Sequence, residues 1–192
     1  MTAGRSHEYF LEVLAEEIPA WMLPPPALHR EIQAVMAALG VEDRDDSTIT
    51  IGATPRRIWI RLSGLPEKQA DRDEEVKGPP RKIAFAADGS PSAALTGFLK
   101  KNAAAVSDIV SAENDDYVRI RRTVTGRRTT EVLTEKISRL IEGLRWPRMM
   151  RWGYGSHSWI RPVHSVVSIF DGEPMPIEIF GILSGTSTHG HR

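Results

Sequence analysis

The chain has 192 residues, of which 41% are hydrophobic and 26% charged, and its 25 basic and 25 acidic residues cancel. This composition is typical of one globular domain or two small ones, and it excludes wholesale disorder. The absence of cysteine excludes disulfides, thiol catalysis and cysteine-ligated metal sites. No apolar run approaches the roughly 18–20 residues of a membrane span, and the first residues contain no apolar signal core. We therefore expect a cytoplasmic protein with no membrane partner.

The first half of the chain predicts strands on either side of one helix. A strand over 9–14 comes first, and a helix follows in which apolar residues recur at helical spacing from Leu28 to Leu39, with Gly40 as its stop. Two further strands are predicted over 48–51 and 57–62. The alternation in the second predicts one buried face and one wet face. The wet face would carry Arg57, Trp59 and Arg61.

The second half mixes helices and strands. Residues 66–80 are charged and Pro-rich and predict an irregular surface loop. A short strand is predicted over 82–86, followed by a helix with Ser90 as N-cap and Pro91 at its first position. The remaining predicted elements are a strand over 117–124, an amphipathic helix over 130–144, and two strands over 163–170 and 176–182. The last two strands are predicted to form a hairpin with a longer loop around Asp171-Gly172.

These elements do not alternate in the regular strand–helix order of a parallel sheet. The sequence therefore predicts the α+β class, with a mixed, largely antiparallel sheet and two to four packed helices.

Basic residues are concentrated in one stretch of the chain. Between Tyr117 and Arg161 there are eleven Lys or Arg residues and three Glu residues. Guanidinium groups close to aromatic rings are what proteins use to hold phosphates and to stack on bases. A solvated helix face next to core tryptophans has the same composition, so composition leaves both interpretations open.

No motif in the sequence predicts a self-contained active site, and neither nucleotide-binding glycine pattern is present. Lys77-Gly78-Pro79-Pro80 could hold a phosphate through its lysine, but the prolines remove amides that a phosphate loop needs, which favours a rigid turn. His189 and His191 have the spacing of a metal-binding pair without further ligands nearby in sequence. We predict no catalytic, cofactor-binding or metal-binding residue in this chain.

Basic and aromatic residues near one another form the candidate binding set. On the wet face of a strand, arginines also commonly pair with acids on the neighbouring strand, which is the alternative interpretation. The candidate RNA-binding or interface residues are Arg56, Arg57, Trp59, Lys77, Arg151, Trp152, Arg161, His191 and Arg192.

Several short stretches, in order along nearly the whole chain, match one family. They are Phe10-Leu11-Glu12-Val13, Glu16-Glu17-Ile18-Pro19, Ala53-Thr54-Pro55-Arg56-Arg57, Lys77-Gly78-Pro79-Pro80, Asp88-Gly89-Ser90-Pro91, Gly97-Phe98, Met150-Arg151-Trp152-Gly153, Arg161-Pro162-Val163, Ser184-Gly185 and Gly190-His191-Arg192. With these, the chain resembles the N-terminal portion of the β subunit of bacterial-type glycyl-tRNA synthetase. It departs from the family at His164-Ser165, where an aromatic residue is common.

The resemblance implies a subunit of glycine–tRNA ligase, an assembly of two α and two β chains. In that family the α subunit activates glycine with ATP and magnesium, and the β subunit supplies tRNA recognition and assembly contacts. The family's β chain is longer, so this chain would be a truncated N-terminal α+β region, without the HD-like and anticodon-binding regions. The family's N-terminal region is similar to the B3/B4-type α+β module, and none of its catalytic residues maps here.

Three hypotheses for the role of this region follow. The leading one is a non-catalytic tRNA-handling and assembly region, in which Arg151→Ala or Arg161→Ala raises the KM for tRNA and spares glycine activation. The second is a purely structural scaffold or α-subunit docking module, with Arg151 and Arg161 buried and stacked on neighbouring groups. The third and weaker one, implied only by the B3/B4 likeness, is an editing-like site that hydrolyses mischarged tRNA.

Overall fold

The computed structural model describes residues 6–25, 27–41, 48–86, 88–111, 115–153 and 157–190. Helices α1 to α4 span Leu28–Ala38, Arg81–Ala84, Ala93–Lys101 and Thr129–Gly143. Short 3-10 helices span Ala20–Met22 and Val106–Asp108. Strands β1 to β11 span His7–Ala15, Ile49–Thr54, Arg57–Leu65, Arg72–Pro80, Tyr117–Val124, Met150–Arg151, Ser158–Trp159, Val163–Phe170, Glu173–Pro174, Glu178–Ile179 and Ile182–Leu183.

The chain divides into two compact units. Unit 1 contains residues 1–69 and 127–192, and unit 2 contains residues 70–126. Unit 2 is thus an insertion in the sequence of unit 1. Where the chain leaves and re-enters unit 1, the Gln69 N–H donates to the Arg127 carbonyl at 2.9 Å and the Thr129 N–H donates to the Glu67 carbonyl at 3.0 Å.

Unit 1 is built on a five-stranded antiparallel sheet in the order β2-β3-β1-β8-β9. One sheet face carries Tyr9, Leu11 and Val13, which join the apolar stripes of α1 and α4 in one buried core. The Tyr9 hydroxyl and the Ser168 hydroxyl form a buried hydrogen bond at 3.2 Å, and burial raises the pKa of Tyr9 above its ordinary value. The predicted α+β class and largely antiparallel sheet are confirmed.

Unit 2 is built on the antiparallel ribbon β4–β5, which has its own core. Val118 and Ile120 are fully buried there against Leu95 and Leu99 of α3. Gly78 lies under the Phe98 ring, where an added Cβ would come within 2.7 Å of a ring atom. This close approach is a structural reason for the glycine in the Lys77-Gly78-Pro79-Pro80 stretch.

Three local predictions are wrong. Residues 72–80 form β4, which pairs with β5, and not an irregular loop. The strand was not predicted because its residues are mainly charged and lack an apolar alternation. Residues 81–84 form α2 where a strand was predicted. Ser92, not Ser90, caps α3 by accepting from the Leu95 N–H, while the Ser90 hydroxyl bonds Asp88.

The hairpin prediction correctly places a turn at Asp171-Gly172, but its longer loop and its second strand are wrong. Asp171 and Gly172 both have positive φ, as a type I′ hairpin turn requires, and β8 turns there into β9. Residues 176–182 do not pair with β8. A second turn at Phe180-Gly181 instead pairs β10 with β11. Within the described residues, no helix is both long enough and apolar enough to cross a lipid bilayer.

Candidate functional site

The second face of the five-stranded sheet, here called the polar face, carries the predicted wet-face residues of β3. Arg57, Trp59 and Arg61 lie opposite Leu14, Glu12 and Phe10 of β1. The Trp59 ring lies across Gly52 of β2 and stacks near Phe10, with a centroid distance of 6.4 Å. The sheet therefore brings two guanidinium groups and an indole together, as predicted.

Acids on β1 neutralise both of these arginines. The Arg61 guanidinium donates to the Glu8 carboxylate at 2.6 Å, and this hydrogen bond raises the pKa of Arg61. The Arg57 Nε lies 3.6 Å from Glu12, whose side chain is only 12% exposed. The cross-strand pairing that the sequence left open is thus the observed arrangement.

A segment of residues 185–190 runs along the sheet and contacts the polar face at Thr188 and His189. Gly185 bridges to Val167 of β8, where its N–H donates to the Val166 carbonyl at 2.8 Å. Further along, the Thr188 hydroxyl bonds Glu12 and the Arg57 guanidinium donates to the His189 carbonyl. The Arg57 guanidinium therefore contacts Glu12 through an ion pair and this segment through a hydrogen bond.

A cleft of about 760 Å³ opens beside the polar face in unit 1. Within it the His164 Nε2 lies 2.6 Å from a Glu16 carboxylate oxygen, and the Arg56 guanidinium lies 3.8 Å from the same carboxylate. The hydrogen bond with His164 and the charges of His164 and Arg56 hold the pKa of Glu16 below its ordinary value. The residues that line the cleft are Leu14, Glu16, Glu17, Thr54, Pro55, Arg56, Arg57, His164, His189 and Gly190.

Arg161 ties two chain segments together through backbone groups. Its Nε donates to the Glu17 carbonyl at 2.8 Å, and its Nη1 donates to the Ile160 carbonyl at 2.8 Å. A guanidinium used in this way stabilises local structure. Arg161 is half-buried and not fully buried as the scaffold hypothesis expects, and carbonyls take the place of the predicted stacking partner.

Arg151 and Trp152 point to different environments. Arg151 lies on β6 opposite Ser158 and is exposed, so the burial that the scaffold hypothesis expects for it is wrong. Trp152 is half-buried and packs edge-on against Phe180, with a centroid distance of 5.6 Å. Trp152 is thus a packing residue next to an exposed cation.

The sequence prediction missed two arginines close to Arg151. Arg145 and Arg148 are exposed, like Arg151, on residues 145–151, here called the basic loop. Within the described residues we find no ion pair or hydrogen bond for these three guanidinium groups. A sequence signal did exist, because no Asp or Glu occurs between Glu142 and Asp171.

Aromatic packing holds the basic loop at both ends. Trp146 is buried and meets Trp159 edge-on at a centroid distance of 5.5 Å, and the Trp159 Nε1 donates to the Ile141 carbonyl at 3.1 Å. Phe180 packs against both Trp159 and Trp152. The exposed arginines of the basic loop are therefore attached to a backbone that aromatic packing anchors near both ends.

The other candidate residues lie elsewhere. Lys77 belongs to unit 2, where its Nζ lies 3.5 Å from the centroid of the Tyr117 ring. His191 and Arg192 fall outside the described residues, so the structure does not test their predicted RNA-binding or interface role or the spacing of His189 and His191. Across the part of the chain that the structure describes, we find no group of three or more side chains that could hold a metal ion.

Comparison with known proteins confirms the family that the sequence resembles. The family model for the glycyl-tRNA synthetase beta subunit matches residues 9–192. The chain is 36% identical over 189 residues to the glycine–tRNA ligase beta subunit of Pediococcus pentosaceus, covering 97% of this chain and 27% of that protein. It is 38% identical over 183 residues to the corresponding protein of Thermotoga maritima, covering 95% of this chain and 27% of that protein. The chain thus spans about a quarter of the length of these relatives, and it belongs to the glycyl-tRNA synthetase beta subunit family.

Proposed function

We propose that this chain is a tRNA-handling and assembly region of glycine–tRNA ligase, and that it carries no catalytic residue of its own. The family membership and the names of the relatives support the ligase. The observation that supports tRNA contact is the basic loop, where Arg145, Arg148 and Arg151 are exposed and unpaired among the described residues. Guanidinium groups without protein partners are suited to bind RNA phosphates.

The proposal places the remaining parts of the reaction outside this chain. Glycine is activated with ATP and magnesium on the α subunit, and the HD-like and anticodon-binding regions belong to the rest of a longer β subunit. The working enzyme contains two α and two β subunits and acts in the cytoplasm on glycine tRNA. The share of the relatives' length that this chain covers supports the view that it is one region of a larger subunit.

The proposal shifts the predicted RNA contacts from the polar face to the basic loop. Arg57 and Arg61 are paired with acids, and Arg161 is held by carbonyls. Arg56 also lies near an acid, Glu16. Among the predicted arginines of unit 1 that the structure describes, Arg151 therefore keeps the expected RNA role. We expect loss of Arg161 to act through the local fold and not through a phosphate contact.

The test replaces Arg145, Arg148 and Arg151 by Ala together in the assembled ligase. If each guanidinium contacts one phosphate, the KM for tRNA rises about fivefold per arginine near physiological salt. Glycine activation, measured by ATP–pyrophosphate exchange, stays unchanged because it does not involve tRNA.

The matched control is Arg139→Ala. Arg139 is an exposed arginine on α4, 77% exposed, that pairs with Glu135 at 2.9 Å. Its loss changes the total charge by one without removing an unpaired guanidinium, so the KM for tRNA stays near the wild-type value. An unchanged KM in the triple variant would contradict the proposal.

A second candidate function is hydrolysis of mischarged tRNA, and the cleft beside the polar face favours it. The His164 imidazole is held by the Glu16 carboxylate at 2.6 Å, an arrangement that can orient a base toward water. Incubating mischarged tRNA with this chain and with its His164→Ala variant tests it. Release of the amino acid by the first and not by the second would support hydrolysis, and no release by either would exclude it.

A further inference from the structure

On the exposed face of the ribbon in unit 2, two successive cross-strand positions hold a carboxylate opposite a hydrogen-bond donor. The Thr123 hydroxyl donates to Asp73 at 2.8 Å, and Arg121 donates to Glu75 at 3.3 Å. Each pair stands directly across the two strands. Such pairs stabilise a ribbon that has one wet face.

The pairing rule fails at the next position. Lys77 lies directly opposite Arg119, so two cations face each other across the strands. Like charges in this position destabilise a sheet. Within the described residues neither cation has an ion-pair partner, and the Lys77 ammonium instead lies 3.5 Å from the Tyr117 ring centroid.

A third segment extends this face. Ile109 bridges to Ile120 and packs against the core of unit 2, while the Val110 N–H donates to the Arg119 carbonyl at 2.9 Å. Since successive residues of an extended segment alternate between faces, Val110 lies beside Arg119 on the exposed face. The Val110 side chain is 42% exposed and that of Tyr117 is 38% exposed.

These four residues, Lys77, Val110, Tyr117 and Arg119, are here called the ribbon platform. The core of unit 2 uses the opposite ribbon face, where Val118 and Ile120 are fully buried, so folding does not require exposed cations here. The positive charge of the platform is a local feature, because the nine basic and nine acidic residues of residues 70–126 cancel. Two facing cations beside a ring and an aliphatic group match the alternating phosphates and bases of RNA.

We propose that the ribbon platform is a second RNA-binding surface of this chain, in which Lys77 and Arg119 hold backbone phosphates and Tyr117 and Val110 contact an adjacent base. This inference rests on the proposed tRNA role and adds a specific surface in the inserted unit to it. A bound phosphate would relieve the repulsion between the two cations, since it supplies the negative charge that the ribbon lacks at this position.

The test compares Arg119→Ala with Arg121→Ala in the full chain, with glycine tRNA as the probe. Both are exposed arginines on the same face of β5, but Arg121 is paired with Glu75 at 3.3 Å. Arg119→Ala weakens tRNA binding about fivefold near physiological salt and lowers the salt slope by about one. Arg121→Ala changes binding by less than about twofold, because removing an exposed ion pair costs little. Equal thermal unfolding midpoints show that both variants fold.

The outcomes separate this inference from the proposed function. Equal weakening by Arg119→Ala and Arg121→Ala would overturn the inference, because general charge would then explain binding. Wild-type binding by Arg119→Ala, with weakened binding by the basic-loop variant, would overturn the ribbon platform and leave the tRNA role standing. If Arg119→Ala in the assembled ligase lost subunit association and kept its tRNA binding, the ribbon platform would dock a protein and the inference would be overturned.

Discussion

Gly52 and Trp59 show how a single side chain shapes the polar face. They are directly opposite on β2 and β3, and the Trp59 ring occupies the place of a Cβ at position 52. In a strand interior, glycine ordinarily costs about 0.5–1 kcal/mol relative to alanine, so Gly52→Ala would normally be stabilising. Here the clash with the indole outweighs that gain.

We therefore expect Gly52→Ala to destabilise the chain by about 1–3 kcal/mol, as overpacking does. The measurement is the free energy of unfolding in urea. In a Trp59→Ala background, Gly52→Ala no longer meets the indole, so its effect on the free energy of unfolding becomes neutral or stabilising. A Gly52→Ala variant as stable as the wild-type chain would show that the indole does not press on this position.

The arginines show how far the residue scale is predictable. Alternation along β3 correctly predicts that Arg57, Trp59 and Arg61 share the polar face. It does not show that Glu8 and Glu12 lie within reach of these arginines, because the partner strand and its register are set by the packing of the whole sheet. The contacts of Arg161 to two carbonyls leave no signal in the sequence, because any backbone oxygen can accept them.

At the scale of elements, α4 carries a charged network on its exposed side. The Glu135 carboxylate accepts from Arg127 at 2.8 Å and from Arg139 at 2.9 Å. The hydrogen bond from Arg127 and the charges of Arg127 and Arg139 lower the pKa of Glu135 below its ordinary 4.5. The folded state therefore favours the ionised carboxylate more than the unfolded state does.

This shift predicts a pH dependence that Glu135→Gln removes. The stabilisation from the carboxylate is fully present above the unfolded pKa and is lost as the pH falls through the lower folded pKa. We expect the stability difference between the wild-type chain and Glu135→Gln to be constant near neutral pH and to shrink below about pH 4.5. Urea midpoints measured from neutral pH to about pH 3 test this. A difference that stays constant over the whole range would contradict it.

Elements with a clear apolar period were predictable, and those without one were not. The stripe of α4 and the alternation of β1 and β3 identify those elements from sequence. In β4 only Val76 reaches the core of unit 2, and charge pairs replace the apolar alternation. The sequence of β4 therefore has the composition of a loop.

At the scale of the whole molecule, the net charge of zero does not show that some basic residues are paired with acids and others are not. The basic residues of the polar face are neutralised within unit 1, whereas the basic loop has no described acidic partner. The excess of basic residues between Tyr117 and Arg161 was visible in the sequence. The sequence could not predict which of these basic residues form ion pairs, since that depends on the tertiary positions of Glu74, Glu75 and Glu135.

The insertion of unit 2 was also beyond the sequence. Its boundaries at Ala70 and Gly126 lie in polar stretches without a change in composition. What defines the unit is a separate buried core and the hydrogen bonds that close unit 1 between Gln69 and Arg127. Both are long-range contacts that local patterns do not encode.

We propose that the chain binds tRNA through the arginines of the basic loop, which have no partner among the described residues. The most direct measurement is fluorescence anisotropy of labelled glycine tRNA with the chain and with its Arg145→Ala, Arg148→Ala, Arg151→Ala variant, between about 50 and 200 mM salt. We predict salt-sensitive binding by the wild-type chain, and weaker binding by the variant with a salt slope smaller by about three. Equal affinity and equal slope for the two folded proteins would contradict the claim.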